Sequence, residues 1–142
     1  MFTGEYQHAL DPKGRVILPA RFRHDLEQGA YMAKGQDGCI AVYPADEWEG
    51  VAERARELSR QGPTQRNAAR AFFAGAAPAE PDRQGRVAIP QNLRDFAGLD
   101  RDVVVAGVFT RVEIWSAERW AEVSRAADST LATSDEIAGL GM

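Results

Sequence analysis

The hydrophobic positions of the first half of the chain alternate in short segments that predict strands. Alternation and β-branched residues predict strands over 5–10 and 15–18, and the proline at 19 is placed to open a short helix. Two further apolar segments, 30–33 and 39–43, predict a hairpin around the turn sequence KGQDG. Apolar residues at helical spacing then predict a long helix over 45–59. Its apolar face consists of Trp48, Val51, Ala52, Ala55 and Leu58.

The second half repeats this order of predicted elements. Strands are expected over 76–80, 86–89, 103–106 and 112–115, with one helix opening at a proline and a longer one from Ala117. A helix is also expected in the connector between the halves. It turns three residues inward: Ala69, Phe72 and Phe73.

The repetition extends to the letters of the sequence. DPKGRVILP at 11–19 returns as DRQGRVAIP at 82–90, an offset of 71 residues. After one inserted residue, CIAVYPADEW at 39–48 is echoed by RVEIWSAERW at 111–120. An echo that keeps its order over most of each half indicates an internal tandem repeat.

The repeated phrase combines a turn with a charged pair. Aspartate at the first position and glycine at the fourth suit a tight turn, so Asp11, Gly14 and their counterparts can be explained as structural residues. That explanation leaves out Arg15 and Arg86, each of which opens the strand after its turn. Aspartate can orient such an arginine by a charge-assisted hydrogen bond. If a pseudo-twofold axis relates the halves, both arginines project from one surface, which suits the groove of a duplex.

Composition narrows the class of protein. The formal net charge is −4, yet 15 of the 17 basic residues are arginines, whose planar fork suits phosphates and guanine edges. The apolar content of 44% is enough for a core. The longest apolar run, 103–109, is too short to span a bilayer, and the first residues do not resemble a signal peptide, so a cytoplasmic location is expected. A single cysteine forms no intramolecular disulfide, and neither histidine has metal-ligand spacing.

These motifs resemble the swapped-hairpin barrel motif of the AbrB and SpoVT group of bacterial transcription factors. Two tandem copies in about 140 residues, after the opening MFTGEYQHALDPKGR, resemble the MraZ family from Met1 to about Ala126. The resemblance implies an α+β fold, a small pseudo-twofold double-psi β-barrel built from two βα repeats with flanking helices. It also implies ring-shaped homo-oligomers of eight or twelve subunits.

The resemblance further implies a function and its residues. The family regulates transcription by binding short direct repeats in double-stranded DNA upstream of its own gene, in the division and cell-wall cluster, which predicts a nucleoid-associated protein. Carried over by position, Asp11, Lys13 and Arg15 face DNA in the first motif, and Asp82 and Arg86 do so in the second. Gln84 replaces the lysine of the first copy, and Arg83, at the position of Pro12, is expected to compensate for it. The secondary basic candidates are Arg21, Arg23 and Arg94.

The domain division expected from the pattern has four parts. A first SpoVT/AbrB-like repeat occupies 1–60, a helical connector 61–75, a second repeat 76–127 and a flexible tail 128–142. No cofactor, metal, membrane or small-molecule substrate is expected.

Three alternatives remain open. An antitoxin-like module of the same group would bind DNA and a toxin. A ring without a nucleic-acid role would be purely structural. An enzyme could use Asp11 and Asp82 as a carboxylate dyad, although the arginine after each turn would depress the pKa of its aspartate and oppose proton sharing.

Overall fold

The computed structural model describes residues 1–142 and shows a mixed α+β fold. Strands and helices alternate in nearly the order that the sequence predicts. The first half comprises β1 (Glu5–Ala9), β2 (Arg15–Ile17), α1 (Ala20–Asp25), β3 (Ala30–Lys34), β4 (Ile40–Pro44), α2 (Ala45–Ser59) and α3 (Pro63–Ala74). The second comprises β5 (Ala77–Pro78), β6 (Arg86–Ala88), α4 (Gln91–Ala97), β7 (Asp102–Val108), β8 (Arg111–Ser116), α5 (Ala117–Thr133) and α6 (Asp135–Ala138).

The two halves interleave rather than folding side by side. One antiparallel sheet has six strands in the order β1-β7-β8-β4-β3-β5, so strands of the first half pair with strands of the second at three places. The remaining strands, β2 and β6, pair with each other as a separate two-stranded ribbon. Each half therefore completes the sheets of the other.

The hydrophobic core is shared in the same way. Its buried cluster takes equivalent residues from both halves, among them Val16 with Val87 and Phe22 with Leu93. The ring of Phe22 packs edge-on against the ring of Phe2, with centroids 5.4 Å apart. Each fully buried side chain of this size stabilises the fold by about 1.5–3 kcal/mol relative to exposure. The core thus fixes the ribbon against the main sheet from beneath.

The helix pair α2–α3 is more exposed than its predicted apolar faces would suggest. The long helix has the predicted bounds, but none of its residues is buried, and 40% of Leu58 is exposed. Trp48 stacks on Tyr31 and Phe72 at centroid distances of 4.9 and 5.3 Å. The prediction that Phe73 faces inward is wrong, because 40% of this side chain is exposed. The pair packs on β3 and β4 on one side and leaves Leu58 and Phe73 partly exposed.

Two other segments differ from expectation. The strand predicted over 76–80 is only two residues long, since β5 meets β3 at the edge of the sheet. Helix α5 continues to Thr133, inside the segment predicted to be a flexible tail, and α6 follows with the Ser134 hydroxyl accepting the Ile137 N–H at 3.4 Å. Alanine and capping serine favour helix here despite few contacts. No helix combines the length and apolar character needed to cross a bilayer.

Candidate nucleic-acid interface

Two tight turns carry the predicted site, and they are called here the first turn (11–15) and the second turn (82–86). In each, the aspartate carbonyl accepts the glycine N–H and the aspartate N–H donates to the arginine carbonyl, all at 2.9 Å. The glycines, Gly14 and Gly85, have φ of 76° and 81°. Glycine adopts this left-handed conformation without steric cost, which explains its place in both copies.

The aspartate of each turn holds the arginine that follows it. In the first turn, Oδ1 of Asp11 accepts the backbone N–H groups of Lys13 and Arg15 at 2.9 Å, while Oδ2 accepts Nε–H of Arg15 at 2.6 Å. In the second, Asp82 makes the same bonds to Gln84 and Arg86, with the Nε contact at 2.8 Å. The sequence prediction that aspartate orients arginine is thus realised as a closed, repeated network.

These hydrogen bonds shift the acid–base behaviour of both carboxyl groups. The backbone N–H of Arg15 is the main reason that the pKa of Asp11 lies below its usual value, and the side chain of Arg15 lowers it further. The backbone N–H and side chain of Arg86 lower the pKa of Asp82 in the same way. Both carboxylates are therefore charged at neutral pH, which is the opposite of the raised pKa that a proton-sharing dyad requires.

The β2–β6 ribbon brings the two arginines to one face. Its register places Arg15 opposite Ala88, Val16 opposite Val87, and Ile17 opposite Arg86. Because side chains alternate along a strand, the valine pair points into the core and both arginines point outward. The arginines are two residues apart in register, so about 7 Å separates them along the ribbon. A twofold-related pair of arginines thus lies on one exposed surface.

Each arginine keeps most of its donors free. About a quarter of each side chain is exposed, 27% for Arg15 and 28% for Arg86. Only Nε is hydrogen bonded in each guanidinium, so the Nη groups are available to an acceptor outside the protein. Arginine held in one orientation loses less entropy when it binds a planar acceptor pair.

The other predicted residues lie around the turns. Lys13, Arg83 and Gln84 are exposed at the tips, with no side-chain hydrogen bond within the chain. Arg21 is exposed on α1 and donates to the Tyr6 hydroxyl at 3.3 Å. Arg23 and Arg94 lie instead against the glycines of the turns, each from the opposite half. Sequence reasoning missed this crossing, because the repeat does not show which half packs against which turn.

The single cysteine and the possible metal ligands of the chain form no reactive cluster. Cys39 is buried, and burial is the main reason that its pKa is raised to about 12. No cluster of three histidine, cysteine, aspartate or glutamate side chains could hold a metal ion. The ribbon face is the place where predicted residues from both halves meet.

The fold and site define a class of protein: a tandem repeat whose interleaved halves build one ribbon with two carboxylate-held arginines. A family model described as "MraZ protein, putative antitoxin-like" matches residues 1–71 and again 72–138. The chain belongs to the MraZ family, as the sequence resemblance predicts.

Individual relatives agree over nearly the full length. The chain is 48% identical over 130 residues to a protein of Syntrophomonas wolfei, which covers 92% of this chain and 91% of the relative. It is 48% identical over 143 residues to a protein of Desulfitobacterium hafniense, which covers all of both chains. It is 49% identical over 122 residues to one of Clostridium beijerinckii, covering 86% of each. All three are named "Transcriptional regulator MraZ".

Proposed function

We propose that this chain is a sequence-specific DNA-binding transcription regulator. The observation that carries the proposal is the pair of carboxylate-held arginines, Arg15 and Arg86, on one exposed face of the β2–β6 ribbon. The names of the relatives support regulation of transcription as the context of that binding. Its targets are short direct repeats upstream of its own gene, in the division and cell-wall cluster, and the protein is nucleoid-associated.

The chemistry of the ribbon fits the major groove of B-DNA. That groove admits a two-stranded ribbon, and the free Nη donors of an arginine match the O6 and N7 acceptors of guanine. We assign base contact to Arg15 and Arg86, whose orientation is fixed by Asp11 and Asp82. The unpaired side chains at the turn tips would meet phosphates or neighbouring base edges: Lys13, Arg83 and Gln84.

The proposal includes a ring of eight or twelve copies. Exposed apolar side chains on separate elements support association, with 40% of Phe73, 42% of Phe96 and 65% of Phe109 open to solvent. A ring would present many ribbons, so that binding to successive repeats becomes intramolecular and gains roughly 10²–10⁴ in avidity. Pairing of β2 with β6 across the halves likewise supports the swapped-hairpin, double-psi barrel architecture. Light scattering should report a mass several times 15.5 kDa, and a monomer at micromolar concentration would contradict the ring.

A mobility-shift titration tests DNA binding directly. The probe is the duplex just upstream of the chain's own gene, compared with a shuffled duplex of equal length and composition. We expect preferential binding that increases with the number of repeats and weakens as salt rises, because counterions are released. Moving one repeat by half a helical turn, about 5 base pairs, should reduce the gain. Equal affinity for the native and shuffled duplexes would contradict sequence-specific binding.

The description of the MraZ family as antitoxin-like makes an antitoxin-like module the second candidate. Such a module would bind a toxic protein in addition to DNA. Co-expression with each neighbouring open reading frame tests it: neutralisation of a growth-arresting product by this chain would favour this candidate. A failure to form any stable complex would leave regulation of transcription as the function that the site supports.

A further inference from the structure

We propose that Arg23 and Arg94 are crossed positioning residues, each of which holds the DNA-facing turn of the opposite half. Helix α4 of the second half places Arg94 over the first turn, where a Cβ built on Gly14 would lie 2.7 Å from Cζ of that arginine. Helix α1 of the first half places Arg23 over the second turn, where a Cβ built on Gly85 would lie 2.7 Å from Cζ. A Cβ at either glycine would therefore displace the guanidinium that covers it.

The backbone shows the same exchange. Ile89 of the second half donates its N–H to the carbonyl of Gly14 at 3.0 Å, and Leu18 of the first half donates to the carbonyl of Gly85 at 3.0 Å. Each turn glycine is therefore held by the opposite half at its carbonyl and covered by that half's guanidinium at Cα. The other end of each turn is held by its own aspartate. Neither turn is positioned by its own half alone.

Neither of the two crossed arginines has a charged partner within the chain. The side chains of Arg23 and Arg94 form no salt bridge or hydrogen bond, and Nε of Arg94 is buried without a partner. Both side chains are half-buried, and leaving Nε of Arg94 buried without a partner costs free energy, which points to a use for that group at this place.

The crossed arginines add one positive charge to each of the two turns. The first turn combines Asp11 with three positive groups, which are Lys13, Arg15 and Arg94. The second combines Asp82 with three others, which are Arg83, Arg86 and Arg23. Each turn therefore presents a net of two positive charges, although lysine and glutamine differ between the copies. The consequence for DNA rests on the proposed function, whereas the bracing of the turns does not.

Hydrogen exchange of the full chain without DNA tests the bracing. Arg94→Ala should speed amide exchange in peptides covering 11–15 by roughly tenfold and leave those covering 82–86 unchanged, because local opening is limited to the turn that lost its cover. Arg23→Ala should give the mirror image. Arg94→Met and Arg23→Met keep an unbranched chain without the guanidinium, and they replace any alanine variant that fails to fold. Arg125→Ala, an exposed arginine on α5, is the control.

The outcome of this experiment decides the proposal whether or not the chain binds DNA. Crossed exchange supports it. Faster exchange in the turn of the same half, equal change in both turns, or no change in either would overturn it. An increase spread over the whole chain, present in the methionine variants as well, would mean general destabilisation and would also overturn it.

Double-mutant cycles on the upstream duplex test the consequence for binding. Arg94→Ala should weaken binding by about fivefold or more, and combined with Arg15→Ala the loss should be less than the product of the two. Combined with Arg86→Ala, the losses should multiply. Arg23 should show the reverse pairing. Multiplicative losses in all four combinations would overturn the coupling. If the wild-type chain does not bind the duplex, the proposed function is contradicted and the exchange result is unaffected.

Discussion

The first and second turns share their hydrogen bonds but differ in the residues at their tips. Both networks run from aspartate to the same two backbone N–H groups and to arginine Nε, with corresponding distances within 0.2 Å. Between these fixed positions, Pro12 and Lys13 stand where Arg83 and Gln84 stand in the second turn. The geometry therefore depends on aspartate, glycine and arginine, while the tips can vary because their side chains bond to nothing in the chain.

The largest expected effect on DNA binding comes from removing the arginines of both turns. Arg15→Ala and Arg86→Ala should each weaken binding to the upstream duplex by about 1–3 kcal/mol, and the double variant should lose its preference over the shuffled duplex. Because these side chains are outside the core, the melting temperature should change little. Fluorescence anisotropy and thermal denaturation measure the two effects. Unchanged affinity in the double variant would remove the arginines from the interface.

The next effect concerns the aspartates and should be the same in both turns. Asp11→Asn and Asp82→Asn remove the charge that orients arginine, so each should weaken DNA binding less than loss of the arginine itself. The folded-state pKa of each aspartate is lowered, so its contribution to stability is complete from about pH 5 upward, above the usual aspartate pKa of about 4. It is lost as pH falls through the lowered pKa.

Thermal denaturation from pH 8 to pH 2 checks this. The melting-temperature difference between wild type and each asparagine variant should be constant down to about pH 5 and shrink in more acidic buffer. Curves that differ between the two variants would show that turns with similar hydrogen-bond distances are unequal in stability. A difference that grows in acid would contradict the direction of the pKa shift.

A smaller effect follows from exchanging charge at the tips. Lys13→Gln should weaken binding by a similar factor for every duplex and lower the salt-dependence slope by about 1, as expected for one phosphate contact. Gln84→Lys should strengthen binding and raise the slope by the same amount. Titrations at several salt concentrations measure both. Loss of preference for one particular base would assign Lys13 to base recognition instead.

The smallest effect distinguishes the hairpins of the two halves, in which Cys39 occupies the position of Arg111. With the thiol buried and its pKa raised to about 12, almost none of it is thiolate at neutral pH. A disulfide reagent at pH 8 should therefore label the native chain far more slowly than the denatured chain, with DNA binding unchanged. Rapid labelling of the native chain would show that this hairpin opens.

Local sequence determines the features that could be predicted. The bounds of α2 and the geometry of both turns follow from nearby residues, because helix periodicity, aspartate and glycine act over a few positions. The placement of Arg15 and Arg86 on one surface required the assumption of pseudo-twofold symmetry, which the ribbon register supplies. Their role toward DNA stays a prediction.

Features set by distant contacts could not be predicted. Nothing near Arg94 indicates that it covers Gly14, since the approach depends on how α4 packs across the ribbon. The exposure of Phe73 depends in the same way on the lack of a neighbour over α3. The helical residues after 127 are small and polar, and this composition fits helix and tail equally well.

The interleaving of the strands has a consequence for symmetry. A half-length chain could complete these sheets only by pairing with an identical copy, and such a dimer would carry two identical turns. Such a symmetric dimer matches a palindromic DNA site, which reads the same on both strands. Joining the halves in one chain keeps the shared ribbon but frees each turn to change independently, as residues 13 and 84 have done. Because its two turns can differ, the fused chain is not twofold symmetric, and neither is a DNA site made of direct repeats.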